Sequence, residues 1–389
     1  MKKLTLFAVF TGFAIITWGQ TGLKGKGCDL GVTLNAHYSR AAVADSILKH
    51  YTEGMLPGVS LAVYSETEGW WYGSAGYASL EKKIPMDNCH LQYLQSVSKS
   101  FVAVEILQLR EEGKIDIDQP ITRYLPARFS RYVPQAERMT VRMLLNHQSG
   151  VPEYNEQSAF VSKVILHPLD PFTSEQCLSY IAQEPLQFEP GTKYKYTNTN
   201  YLILSLIGDA LTGDHAAWIR KHIFEPLGMK NSYYGKDHQY LNGLYLPESY
   251  QDALNIGKSI NVTPFQKMTV FCSKGDDGIV CTSVDAVKYL KGLMEGKLLN
   301  EASMKDLLNF VKDENGHNRY GMGIIYFDLG GIPAYGHGGG GIGAGCGLIY
   351  VPAAKTYIFM STNIGCFIDS KLSEKANEMR MALLAGLLQ

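Results

Sequence analysis

Three serines in the chain stand three residues ahead of a lysine: Ser46-Lys49, Ser79-Lys82 and Ser96-Lys99. Positions i and i+3 of a helix share a face one turn apart, so such a pair can set an amine beside a hydroxyl. A serine hydroxyl is a weak nucleophile until a base takes its proton, and a lysine in a partly desolvated site can be that base. Ser46 falls inside a helical stretch, where a solvated face is the default, and Ser79 follows a hairpin with no apolar helix after it. Only Ser96 opens a glycine-free apolar run of helical spacing, Phe101 to Leu109. The N-terminus of such a helix adds a positive field that favours a developing alkoxide or oxyanion. Ser96 is therefore the candidate nucleophile and Lys99 its candidate base.

Two further clusters carry chemistry. In Pro190-Gly191-Thr192-Lys193-Tyr194-Lys195-Tyr196-Thr197-Asn198 a tyrosine and an asparagine two apart in an extended loop can point into one cleft. A phenol near an ammonium is expected to have its pKa lowered and to shuttle a proton to a leaving group. An amide such as Asn198 offers both donor and acceptor to a substrate amide. Read alone, Tyr196 is better taken as a packed aromatic and Asn198 as a helix cap, and Tyr240-Leu241-Asn242 repeats the spacing. The third cluster is Gly336-His337-Gly338-Gly339-Gly340-Gly341-Ile342-Gly343-Ala344-Gly345. Its glycines would let a substrate backbone lie close against a strand and expose an N–H to an oxyanion. A phosphate loop is excluded because no Lys-Ser/Thr follows, and a dinucleotide fingerprint because a strand rather than a helix comes next. An α/β-hydrolase oxyanion loop would need a Gly-x-Ser-x-Gly elbow, and no serine here has one. A flexible glycine hairpin is the remaining alternative.

The elements that must position these residues follow from periodicity. Residues 34–53 read as a helix, Val59 to Tyr64 as a strand, Glu66 to Gly69 as a turn and Trp70 to Gly76 as the hairpin partner. The Ser96 helix stops at Gly113. Candidate helices then run over Val141 to Asn146, Ser174 to Gln183, Thr199 to Leu211, Ala216 to Leu227, Ser283 to Glu295 and Glu301 to Phe310. Strands return at Gly321 to Phe327, Cys346 to Val351 and Lys355 to Thr362, before a final helix from Leu372 to Leu388. Strands at both ends with helices between predict an α+β fold: one sheet built from both termini, with a helical insertion. The α/β part is expected at about 34–115 and 277–389, and a mainly helical subdomain at about 116–276.

With 389 residues, 46% of them hydrophobic, the chain can bury a substantial core. A net charge of −1 and the lack of a basic stripe point away from nucleic acid and anionic membrane surfaces. Lys2 and Lys3, the apolar run Leu4 to Trp18 and the small Gly19 read as an export signal over residues 1–19, too short for a spanning helix. No later stretch is long and apolar enough to span a bilayer, so a periplasmic or secreted protein is expected. Seven cysteines leave at least one unpaired, and neither they nor the scattered histidines have metal-ligand spacing, so no cofactor is called for.

The order Ser-x-x-Lys, Tyr-x-Asn, His-Gly-Gly resembles the serine β-lactamase-like family: class C β-lactamases, D-alanyl-D-alanine carboxypeptidases, D-aminopeptidases and related esterases. Gly58 to Val63, Leu109 to Asp116, Met143 to Pro152 and Ile223 to Met229 match the same family, so the resemblance covers nearly the whole mature chain, 29–389. It implies an antiparallel sheet flanked by helices, with the site between sheet and helical subdomain. It further implies acylation of Ser96, a base role shared by Lys99 and Tyr196, and substrate contacts from Asn198, His337, Gly338 and Gly339. The N–H groups of Ser96 and Gly340 would form the oxyanion hole. Class C β-lactamases usually carry Lys-Thr-Gly where His337-Gly338-Gly339 stand, and a histidine is largely neutral near pH 7. An ester or a D-amino-acid peptide is therefore the expected substrate, ahead of a β-lactam. A penicillin-binding sensor with little turnover is the alternative of another class.

Overall fold

The computed structural model describes residues 28–235, 245–366 and 368–388. The export segment and Tyr240-Leu241-Asn242 lie outside them.

Nine antiparallel strands form the main sheet: β1 (Gly58–Ser65), β2 (Gly69–Ser79), β3 (Ile84–Pro85), β4 (Val311–Lys312), β5 (Asn318–Tyr320), β6 (Ile325–Asp328), β7 (Pro333–Gly340), β8 (Gly345–Val351) and β9 (Thr356–Thr362). Their order, β3-β2-β1-β9-β8-β7-β6-β5-β4, joins the two ends of the chain at its centre, where Val59 pairs with Thr362 and Ser65 with Thr356. The central strands are covered on both faces. Val59, Leu61 and Val63 of β1, with Ile358 and Met360 of β9, face a layer made by α1 (Ala41–Thr52) and the C-terminal helix. Ala62, Tyr357 and Phe359 point the other way, toward the larger core. This is the strand's two-residue alternation used twice over.

The centre of that larger core is α2 (Ser98–Glu111), in which eleven of fourteen residues are buried. A helix buried all round must be packed on every side. Phe101 stacks on Tyr289 of a helix over Ser283–Met294, with ring centroids 3.5 Å apart. On another side stand two helices of the middle region, α5 (Asn198–Thr212) and α6 (His215–Ile219); α3 (Val141–Leu145) packs on α5, and α4 (Ser158–Leu166) joins the same core through Phe160. Lys99 and Glu105, the two charged residues of this helix without solvent exposure, need partners inside the protein.

The α+β architecture agrees with the sequence-based expectation, with corrections at particular elements. The first helix starts at Ala41 rather than at residue 34, because Leu34 instead bridges to Trp70 at the sheet edge. The segment after Ala216 is a short α-helix followed by a π-helical turn, Arg220–Phe224. Helix α4, absent from the sequence reading, precedes Ser174–Ser179, which ends four residues early. The strand expected over Gly321 to Phe327 is broken. Gly323, at φ 76°, passes so close to α2 that a Cβ would sit 2.6 Å from that of Ala103. Its neighbour Met322 donates its N–H to Leu307 rather than to a sheet partner.

Cys28 and Cys89 form a disulfide that ties the N-terminal lead to the segment just before Ser96, and the other five cysteines are free thiols. Replacing Cys89 with Ser is expected to lower stability by about 2–5 kcal/mol, given the 61-residue separation it closes. Equilibrium denaturation checks this; an unshifted midpoint, with wild type equally insensitive to reductant, would refute it.

Candidate active site

Ser96 sits in a single 3-10 turn, Gln95–Val97, that leads into α2. It is half-buried among buried neighbours, so the hydroxyl faces a cleft. Lys99, one turn on and wholly buried, donates from Nζ to Ser96 Oγ at 2.9 Å and to the carbonyl oxygen of Asp276 at 2.8 Å. The i, i+3 pairing expected from the sequence is present. Gln95 holds a left-handed φ of 50°, a costly conformation for a residue with a Cβ, immediately before the serine.

The glycine cluster explains how a strand can lie against this turn. A Cβ on Gly339 would stand 2.5 Å from the carbonyl oxygen of Leu94, and one on Gly341 2.4 Å from Gln95 Oε1. A Cβ on Gly336 would meet the Leu348 carbonyl oxygen at 1.9 Å. The closeness expected for a substrate backbone is thus used by the protein itself, to seat β7 on the Leu94–Gln95 segment. Gly338 and Gly340 are the roomier positions of this strand, and Gly340 is exposed at its end. The flexible-hairpin alternative does not hold for Gly336–Gly340, which are paired strand residues opposite Gly345–Ile349.

Tyr196 packs beside the amine, with Lys99 Nζ 5.1 Å from its ring centroid. The expected lowering of its pKa is reversed. Burial raises the phenol's pKa, and this outweighs the opposing influence of Lys99 and Ser96. Asn198 is the first residue of α5, not part of the extended loop, and the cap position is taken by Thr197. Its N–H donates to Glu153 Oε2 at 2.5 Å. Its half-exposed side chain has no hydrogen-bond partner among the described residues, so the amide is open to a ligand.

His337 is buried and fully engaged. Its Nδ1–H donates to the Gly338 carbonyl at 2.6 Å, and its Nε2 accepts from the Tyr320 hydroxyl at 2.9 Å. Burial and the nearby Lys99 push its pKa down to about 3, so the ring is neutral across the physiological range. A second histidine, His147, lies with its ring centroid 4.3 Å from that of Tyr196. The Thr197 N–H and the Asn200 amide both address its Nδ1, at 3.3 and 3.0 Å, which leaves the proton on Nε2.

Sequence reasoning missed the carboxylates around the amine. Asp276 is buried, accepts from the Tyr154 hydroxyl at 2.8 Å, and has its pKa raised by burial. Glu153 is raised to about 7, chiefly by burial. The adjacent acidic pair Asp276-Asp277 ahead of a short apolar strand was the available signal. Glu153 and His147 lie in or next to the Met143 to Pro152 stretch, but neither was given a role. Among the described residues, no group of three or more histidine, cysteine, aspartate or glutamate side chains is placed to hold a metal ion.

A model of the Beta-lactamase family matches residues 44–374. The putative penicillin-binding protein PbpX of Bacillus subtilis (strain 168) is 26% identical over 251 residues, 64% of this chain and 57% of that protein. A further penicillin-binding protein of the same strain is 27% identical over 310 residues, 75% of this chain and 65% of its own length. The chain therefore spans less than two thirds of these relatives. Among solved structures, the D-amino acid amidase from Ochrobactrum anthropi SV3, complexed with L-phenylalanine amide, superposes with a TM-score of 0.76 at 26% identity. That match covers 90% of this chain and 98% of the amidase. A D-stereospecific amidohydrolase from Streptomyces sp. shares the fold, with a TM-score of 0.71 at 22% identity over 86% of this chain and 97% of that one.

The raised Glu153 carboxyl makes stability depend on pH. Between its ordinary value of 4.5 and about 7 the unfolded chain releases this proton while the folded chain keeps it. This carboxyl's contribution to stability therefore falls as pH rises through that window and levels off above it, opposite in sign to the contribution of His337, whose pKa burial lowers. Replacing Glu153 with Gln should remove this contribution and shift the slope between those limits toward stability rising with pH. Denaturant midpoints across pH 4.5 to 7.5 test this, and an identical slope in the variant would refute it.

Proposed function

Because the chain belongs to the Beta-lactamase family, whose model matches residues 44–374, we propose that it is an exported serine hydrolase that forms an acyl-enzyme on Ser96. Its substrate is a small ester or a D-amino-acid amide or peptide. The observation that carries the reading is the 2.9 Å contact between the buried Lys99 amine and Ser96 Oγ at the mouth of the cleft.

In this mechanism Ser96 Oγ attacks the substrate carbonyl as its proton passes along that contact to Lys99 Nζ, which acts as the base. The N–H groups of Ser96 and Gly340 meet the oxyanion. Tyr196, kept protonated by its burial, suits the acid role: it gives its proton to the leaving group and regains one from the Lys99 ammonium. Water then hydrolyses the ester on Ser96. Asn198 holds the acyl-side amide or ester group. His337 has both ring nitrogens committed within the protein and bears no charge. It therefore offers no cation to a substrate carboxylate, which favours an ester or amide over a β-lactam. The fold and 26% identity shared with a D-amino acid amidase support the same choice. Export is supported by the Cys28–Cys89 disulfide, since such bonds persist in oxidising compartments.

Replacing Ser96 with Ala is expected to abolish covalent labelling by a penicillin and by an activated ester, read as intact-protein mass; labelling that survives would overturn the assignment. In the wild type, a persistent penicillin adduct would point to a D-alanyl peptide substrate, and ester turnover without that adduct to an esterase. Tyr196→Phe should slow acylation by about 100- to 10,000-fold. An unchanged burst rate in rapid-quench measurements would return Tyr196 to a packing role.

A further inference from the structure

Glu105 lies in the middle of α2 with no solvent exposure, and no step of the mechanism uses it. Its Oε2 meets His215 Nδ1 at 3.3 Å. Across the ring, His215 Nε2 is 3.3 Å from the Tyr234 hydroxyl, and that hydroxyl oxygen accepts the Gly275 N–H at 2.8 Å. His215 and Tyr234 are likewise buried. Directions follow from the two ends of the chain. The Gly275 N–H can only donate to the Tyr234 oxygen; Glu105, whose pKa burial raises, accepts from the Nδ1–H when ionised, and Nε2 is then left to accept from the Tyr234 hydroxyl.

The next residue after Gly275 is Asp276, whose carbonyl oxygen accepts from Lys99 Nζ at 2.8 Å. The path thus leaves α2 at Glu105, runs through α6 and the 274–276 segment, and returns to the same helix at the catalytic amine. The surroundings are shaped to it. A Cβ on Gly208 of α5 would stand 2.7 Å from Glu105 Oε1, so glycine makes room for the carboxylate. Gly275 holds φ at 83° and lies so near the Tyr201 carbonyl that a Cβ would stand 2.2 Å from its oxygen. Ser205 Oγ lies 3.3 Å from the Lys274 carbonyl oxygen, and Lys274 pairs with Asp209 of α5.

We propose that Glu105, His215 and Tyr234 are positioning residues: they fix the Gly275–Asp276 peptide so that its carbonyl holds the Lys99 amine on Ser96. The inference rests on the reading of Lys99 as the base. None of the three touches substrate. Their effect reaches the chemistry only through the placement of one backbone oxygen, and misplacement on the scale of 1 Å is costly in a reaction that depends on near-attack geometry.

The test uses turnover of an activated ester first shown to require Ser96, so failure of the nucleophile assignment would appear in Ser96→Ala and not here. Tyr234→Phe keeps the ring and removes the hydroxyl. In the folded variant kcat should fall about 10- to 100-fold with KM within about twofold. Glu105→Leu should show the same fall. Glu105→Gln, which keeps an oxygen for the His215 Nδ1–H, should recover most of it. A folded Tyr234→Phe enzyme with wild-type kcat overturns the proposal. Should Tyr234→Phe not fold, the Glu105 pair decides: Gln no better than Leu also overturns it.

Discussion

A lysine amine shut off from water must find its hydrogen-bond acceptors within the protein, and Lys99 finds them in Ser96 Oγ and the Asp276 carbonyl oxygen. The second acceptor lies 177 residues from Lys99 along the chain, so the amine can be satisfied only once distant parts of the chain have met. The meeting is secured on either side. Leu94 donates its N–H to the Ile279 carbonyl, and the Ile279 N–H donates to Ser98 Oγ. The Ser96 turn and the Asp276 loop are thereby stitched together by backbone and hydroxyl, groups whose positions do not wander as a long side chain's would.

What was legible in the sequence was chemistry that is local. Ser96 and Lys99 share one helical turn, and the apolar run behind them marks a helix as clearly as Gly113 marks its end. Strand alternation in β1, β8 and β9 was equally visible, because each strand carries its own pattern. Asp276, His147 and Glu153 were not visible as neighbours of the amine and of Tyr196, because their placement comes from what they pack against. No period or spacing links Asp276 to Lys99. The pKa of Tyr196 failed for a related reason: the charge near it was read correctly, but its burial was not, and burial proved the larger influence. The broken strand at Gly321 to Ile324 failed because its cause lies across the core, in the surface of α2.

Around the amine the protein has assembled mostly uncharged rings. Tyr196, Tyr320, His147 and His337 contact one another, and both histidines are held neutral by their surroundings. Such a wall excludes water and adds no competing cation. The electrostatics of the cleft are then set by Lys99 and by carboxyls behind it, Asp276 and Glu153, which burial inclines toward their protonated forms.

The pairing of β1 with β9 has a bearing on how the molecule comes into being. Residues near 60 acquire their central neighbour only when residues near 360 are available. Until then β1 has β2 on one side and an open edge on the other. Contacts of such long sequence separation form late and slowly, since the loop between them must close before they stabilise anything. The helices of the middle region can gather earlier, yet the cleft has no sheet wall until the last strands arrive. A chain still emerging thus carries the Ser96–Lys99 pair before the glycine strand that seats against Leu94 and Gln95 is in place.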